Sequence, residues 1–149
     1  MIEISFQKIN ASNLADVQKI SLHETQKHFI ETVDDCLEEA ATVEEWRPVA
    51  ILANKEIVGF AMYGSFGPQK DTWIDRIMID KKHQGKGYGR RAMLALMKRV
   101  VTEYDVSTIY LSLTEHNTVA RKLYESIGFV YMNEKDPSND ELMFHYIVK

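Results

Sequence analysis

Three glycines on alternate positions, Gly85, Gly87 and Gly89, stand between an apolar strand-like run, Ile77–Ile79, and a long helical pattern that starts at Tyr88. Glycine takes positive φ without steric cost and lets the backbone approach a ligand closely. At the start of a helix, unpaired N–H groups and the helix dipole favour a phosphate group. Lys81, Lys82, Lys86, Arg90 and Arg91 add positive charge around the same loop. The expected guest is a diphosphate. A dinucleotide fold would place GxGxxG early in a strand–helix–strand unit, and a nucleoside-triphosphate loop would read GxxxxGK followed by Ser or Thr. This mid-chain spacing fits neither.

A second chemical group lies just upstream. Asp75 sits in the mostly apolar run Trp73–Ile79, where an ionised carboxylate requires a partner. Arg76 is adjacent, but successive strand residues point to opposite faces. Residues 31–45 add seven acids (Glu31, Asp34, Asp35, Glu38, Glu39, Glu44 and Glu45) and no base, against a chain total of −4. An acidic pole repels nucleic acid and favours a cationic partner; as a charge run it also reads as a solvated helix face. The five histidines show no ligand spacing, so no metal site is expected. Cys36 is the only cysteine, which excludes an internal disulfide and points to a reducing cytoplasm. Composition is that of a soluble globular protein, and the start, MIEISF, has no signal-peptide pattern. No apolar run approaches a membrane span.

The elements that must position these groups follow from periodicity. Residues 2–9 alternate as a strand, and Asn13–Leu22 reads as a helix with Leu14, Val17, Ile20 and Leu22 inward. A second helix places Ile30, Val33, Leu37, Ala40 and Ala41 on one face and Glu31, Asp34, Asp35, Glu38 and Glu39 on the other. Val49–Ala53 and Ile57–Tyr63 form a hairpin around Asn54-Lys55-Glu56, after which Gly64–Pro68 is expected to break regular structure. Thr72–Asp80 is a strand, Tyr88–Tyr104 a helix and Thr108–Leu113 a strand. Asn117 caps a helix carrying Ala120, Leu123, Tyr124 and Ile127, closed by Gly128. Phe129–Met132 and Leu142–Val148 make two last, antiparallel strands. The order predicts a mixed α/β sheet with helices on both faces, in one domain spanning 1–149.

Gln84, Gly87 and Gly89 match the acetyl-CoA loop of the GNAT N-acetyltransferases, Gln/Arg-x-x-Gly-x-Gly/Ala, and Asn117 to Phe129 matches their N-x-x-A-x-x-L-Y-E-x-x-G-F block. The chain therefore resembles that family along essentially its whole length. More narrowly, the stretches QKHFIET, RPV, VGFAMYG, DRIMID and HQGKGYG are similar to bacterial spermine/spermidine acetyltransferases. The resemblance implies a GNAT-type, mostly antiparallel sheet and transfer of acetyl from acetyl-CoA to a primary amine. It implies that backbone groups of Ile77, Met78 and Ile79 line the acetyl and pantetheine arm. Gln84, Gly85, Lys86, Gly87, Tyr88, Gly89 and Arg90 would cradle the diphosphate. Asn117 would bond the pantetheine arm as well as cap its helix.

Tyr124 would be the general acid, although periodicity alone also makes it a core residue. Asp75 would accept the proton of the amine, whose ordinary pKa is near 10.4. Glu24, Glu31, Asp34 and Asp35 would bind the far end of a long cation. Trp73 and Tyr63 are read as packing residues that could also wall a methylene chain. Two departures from relatives stand out: Ser126 replaces a common Lys or Arg, and Arg76 replaces a second acid of some polyamine enzymes. The expected partner is a small cationic amine, with neither nucleic acid nor membrane, and the expected assembly is a cytoplasmic homodimer. Other acceptors (a protein N-terminus, an amino acid, an aminoglycoside) and a non-catalytic acetyl-CoA-binding module are the alternatives.

Overall fold

The computed structural model describes residues 2–22 and 32–148. Among them, seven strands form one sheet: β1 (Ile4–Lys8), β2 (Trp46–Ala53), β3 (Glu56–Phe66), β4 (Asp71–Ile79), β5 (Thr108–Leu113), β6 (Val130–Lys135) and β7 (Leu142–Ile147). Their spatial order is β1-β2-β3-β4-β5-β7-β6. Every pairing is antiparallel except β4 with β5. The α-helices among the described residues are α1 (Leu14–Gln18), α2 (Val33–Thr42), α3 (Tyr88–Tyr104) and α4 (Thr118–Ile127). None of the described helices is long and apolar enough to cross a membrane.

The apolar run of β2 shows why helices cover both faces. Val49, Ile51 and Ala53 join one buried cluster, while Ala50 and Leu52 join another. A strand buried on both sides reads as a continuous apolar run instead of an alternating one. The first cluster is completed by Ala92, Met93, Leu96, Met97 and Val100 of α3, with Ala120, Tyr124 and Ile127 of α4 packed against it. The second takes Val17 of α1 with Val33 and Cys36 of α2.

Four local expectations are corrected. The first helix stops at Gln18, not Leu22, as bonding tightens to i,i+3 spacing at Lys19 and Ile20. Ile20 and Leu22 still pack against the second cluster, so tertiary contact produces the apolar spacing without a helix. On α2 the inward residues are Val33, Cys36, Leu37 and Ala40, whereas Ala41 is exposed. Strand β3 runs through Gly64 to Phe66. A Cβ at Gly64 would lie 2.9 Å from the Trp46 ring, which itself packs edge-on to Phe66 at 4.7 Å. That glycine marks a close approach within a strand and not its end. The hairpin turns on Asn54 and Lys55 alone, both at positive φ, with Glu56 already paired to Ala53.

Candidate active site

Parallel pairing of β4 with β5 is limited to one register, Trp73 opposite Tyr110, whose rings lie 5.4 Å apart. Past that point the two strands share no ladder, and a cleft of about 580 Å³ opens between them. Ligands characteristically bind at the carboxyl ends of such strands. The walls are Ile74–Ile79 of β4, Leu111–Leu113 of β5, the loop into α3, and α4 from Asn117 to Tyr124.

The loop end is built from local geometry. Asp80 N–H bonds the Val58 carbonyl at 2.8 Å, a single 3₁₀ turn follows at Lys81–His83, and the chain then enters α3. Gly85 and Gly87 have φ of +82° and +81°, and Gly87 is the N-cap of α3. Gly89 is helical; the expected left-handed backbone thus applies to two of the three glycines. The first amides of α3 have no helical acceptor, and Tyr88, Gly89 and Arg90 line the cleft beside them. Lys86 is exposed and does not line it. Gln84 Nε2 donates to the Ile79 carbonyl at 2.8 Å, tying loop to strand. His83 is buried, with Nε2 3.7 Å from a Glu56 carboxylate oxygen on the hairpin.

Backbone placement of Ile77, Met78 and Ile79 follows from pairing. One edge of this segment pairs with Ala61, Phe60 and Gly59 of β3, and the other faces the wedge. Contact on the paired side is so close that a Cβ at Gly59 would run into the Met78 carbonyl. Across the wedge, Asn117 Oδ1 accepts the Ala120 N–H at 3.4 Å while the residue also lines the cleft. Tyr124 is half-buried against Phe129, ring centroids 6.1 Å apart. Burial pushes its hydroxyl up to about 12, so the phenol keeps its proton through the neutral range. At Ser126, Arg90 of α3 donates to the serine hydroxyl at 2.7 Å, so positive charge reaches this position from another helix.

Asp75 occupies a β-bulge. Tyr63 pairs with Ile74 and Met62 with Arg76, so Asp75 is skipped. A bulge re-aims side chains, and here it removes the expected opposition of neighbouring residues. Arg76 lies opposite Met62, on the face covered by α2, and Asp75 acts electrostatically on Cys36 of α2. Arg76 Nη1 consequently lies 3.2 Å from Asp75 Oδ2, with only 18% of the aspartate side chain and 14% of the arginine exposed. Burial, reinforced by the like charges of Glu39 and Glu141, pushes Asp75 up to about 7.

The other acids are dispersed. Asp34 is exposed and accepts Gln18 Nε2 at 3.0 Å, and Asp35 closes a capping box with Thr32 at the start of α2. Neither lines the cleft. Glu24 and Glu31 lie outside the described residues. Tyr63 is a core residue whose hydroxyl donates to Glu103 at 2.8 Å and accepts from Arg99 at 2.9 Å. Sequence reasoning missed Ser112 and Glu141, both of which line the cleft. No local pattern marks them, because only the β5–β7 pairing brings them to β4.

With this geometry in place, likeness to known proteins is informative. The acetyltransferase (GNAT) family pattern matches residues 14–129. The chain belongs to that family. Over 149 residues this GNAT protein is 33% identical to a spermine/spermidine N(1)-acetyltransferase of Bacillus subtilis, covering 95% of this chain and 97% of the relative. Spermidine N-acetyltransferase from Vibrio cholerae, solved with CoA and spermine, superposes with a TM-score of 0.73 at 18% identity, covering 95% and 92% of the two chains. The PaiA N-acetyltransferase of Thermoplasma acidophilum, solved with coenzyme A, gives 0.68 at 12% identity, covering 97% and 99%. At those identities the two structures establish the GNAT fold.

Proposed function

We propose that this GNAT protein transfers acetyl from acetyl-CoA directly to a primary amine of a polyamine such as spermine or spermidine. The observation that carries the reading is a single cleft with a left-handed glycine loop and helix N-terminus at one end and the partly buried Asp75 at the other. Two left-handed glycines, a bare helix start and an unpaired strand edge fit a diphosphate joined to an extended arm. Gln84, Gly85 and Gly87 to Arg90 hold the diphosphate, Ile77 to Ile79 align the arm through their backbone, and Asn117 bonds it from the start of α4. Acetyl-CoA supplies the activated thioester.

An ammonium cannot attack, so Asp75 takes a proton from the acceptor, directly or through water. A carboxylate titrating near 7 accepts a proton far more readily than one near 4. The Ile79 N–H, on the edge of β4 away from β3, polarises the carbonyl, as preorganised donors do. Tyr124 holds a proton for the departing thiolate. The B. subtilis relative supports the acceptor class by its name. Residues 1–149 act as one domain, in a cytoplasmic homodimer.

Spermine compared with a simple alkylamine, followed by thiol release at two salt concentrations, tests the acceptor. The expected outcome is a higher kcat/KM for spermine that shrinks with salt, because exposed charges are screened beyond about 8–10 Å. Equal, salt-insensitive values would remove the polyamine assignment. Arg76 in the cleft favours one second reading, an acceptor that also bears a carboxylate. An amino acid outperforming spermine in the same assay would select it. No thiol release with any amine would leave an acetyl-CoA-binding module.

A further inference from the structure

Glu141 immediately precedes β7, where Leu142 pairs with Leu113 and Met143 with Ser112 of β5. Leu113 and Leu142 enter the cluster under α3. Strand alternation therefore turns Ser112 and Glu141 to the opposite face, the one holding Asp75 and Arg76. Both residues line the cleft.

The carboxylate is held rather than loose. Ser112 Oγ donates to Glu141 Oε1 at 2.7 Å. The Glu141 N–H bonds Asn139 Oδ1 at 3.0 Å, and its carbonyl accepts the Asp136 N–H at 2.8 Å. A fixed carboxylate loses little conformational freedom when a cation arrives, so more of the ion-pair energy remains as affinity.

We infer that Glu141, oriented by Ser112, receives a second ammonium of the acceptor and so selects polyamines over monoamines. This rests on the polyamine reading above and extends it to a named residue. The attacking nitrogen is neutral once its proton has gone to Asp75, so that end of the acceptor gives Glu141 no counter-charge. A second ammonium, a few methylenes away, supplies one. Charged and titratable groups facing Asp75 are Arg76 on its own strand, Glu39 and Cys36 on α2, and Glu141 before β7. The buried Cys36 thiol, pushed up to about 12, stays neutral. Glu141 thus binds the far ammonium and, after burial and Glu39, adds to the raised proton affinity of Asp75.

Glu141→Gln keeps the shape and removes the charge. The ratio of kcat/KM for spermidine to that for butylamine should fall about tenfold, chiefly through the spermidine KM, with the acetyl-CoA KM preserved. The acidic limb of the pH profile should move to lower pH, because a like charge beside Asp75 is gone. Ser112→Ala, which frees the carboxylate without discharging it, should lower the ratio less; it carries the test if Glu141→Gln does not melt cooperatively. An unchanged ratio in both variants overturns the assignment, as does an equal loss for both amines, which would mark a general role. A wild-type protein without polyamine preference overturns the proposed function instead, so the two failures are distinguishable.

Discussion

The two ends of the cleft are built by different means. At the proposed cofactor end, strand end, 3₁₀ turn, glycines and helix start are consecutive in the chain, and the proposed anion site rests on backbone conformation at Gly85 and Gly87. At the acceptor end, the groups come from four places: Asp75 and Arg76 from the bulge in β4, Ser112 from β5, Glu141 before β7, and Glu39 from α2 as an electrostatic neighbour. A backbone cradle tolerates side-chain variation and binds a constant group. A chamber of dispersed side chains can be retuned one residue at a time.

The contrast breaks most sharply at Tyr124, on the α4 wall. Tyr124→Phe removes one hydroxyl and little volume, so melting temperature and CoA affinity should hold while kcat falls about 10²–10⁴-fold in single-turnover measurements. A parent rate at every pH, with chemistry limiting, would leave Tyr124 as packing only.

Asp75→Asn tests the acceptor end by itself. Proton acceptance requires the ionised carboxylate, so wild-type kcat/KM should rise with pH through about 7 and level off above. The variant should lose that limb and about 10² in kcat. A limb that persists in Asp75→Asn would belong to another group.

Gly87→Val tests the cofactor end and has the smallest effect of the three. A Cβ at Gly87 meets nothing within 4 Å, so the cost is left-handed strain, about 1–2 kcal/mol. The protein should stay folded while CoA affinity, measured by calorimetry, falls about tenfold and spermine KM holds. Unchanged CoA affinity would sink the phosphate cradle.

Legibility in the sequence divides along the same line. The helix Tyr88–Tyr104 and strand Thr108–Leu113 were readable to the residue because each has one strong period and clear ends. Asn117 and Gly128 marked the bounds of α4 by cap chemistry. Gly64 misled, since glycine signals either a turn or a close contact, and only the Trp46 ring decides which. Arg76 misled for a related reason: strict alternation separates it from Asp75, and a bulge is invisible without the partner strand.

By itself, the sequence determined the sheet with helices on both faces and the strand, glycine loop and helix start that follow one another from Ile77 to Tyr88, because each rests on periodicity or on residues close together in the chain. It singled out Asp75 and Tyr124 as catalytic only through the family resemblance. Tertiary structure alone decided which groups meet at the proposed acceptor end. Register between β3 and β4 turned Asp75 and Arg76 to one face, and β5–β7 pairing delivered Ser112 and Glu141. Burial then raised the proton affinity of Asp75. Register and burial depend on which distant segments meet, and a charge is costly or useful only once its surroundings are fixed.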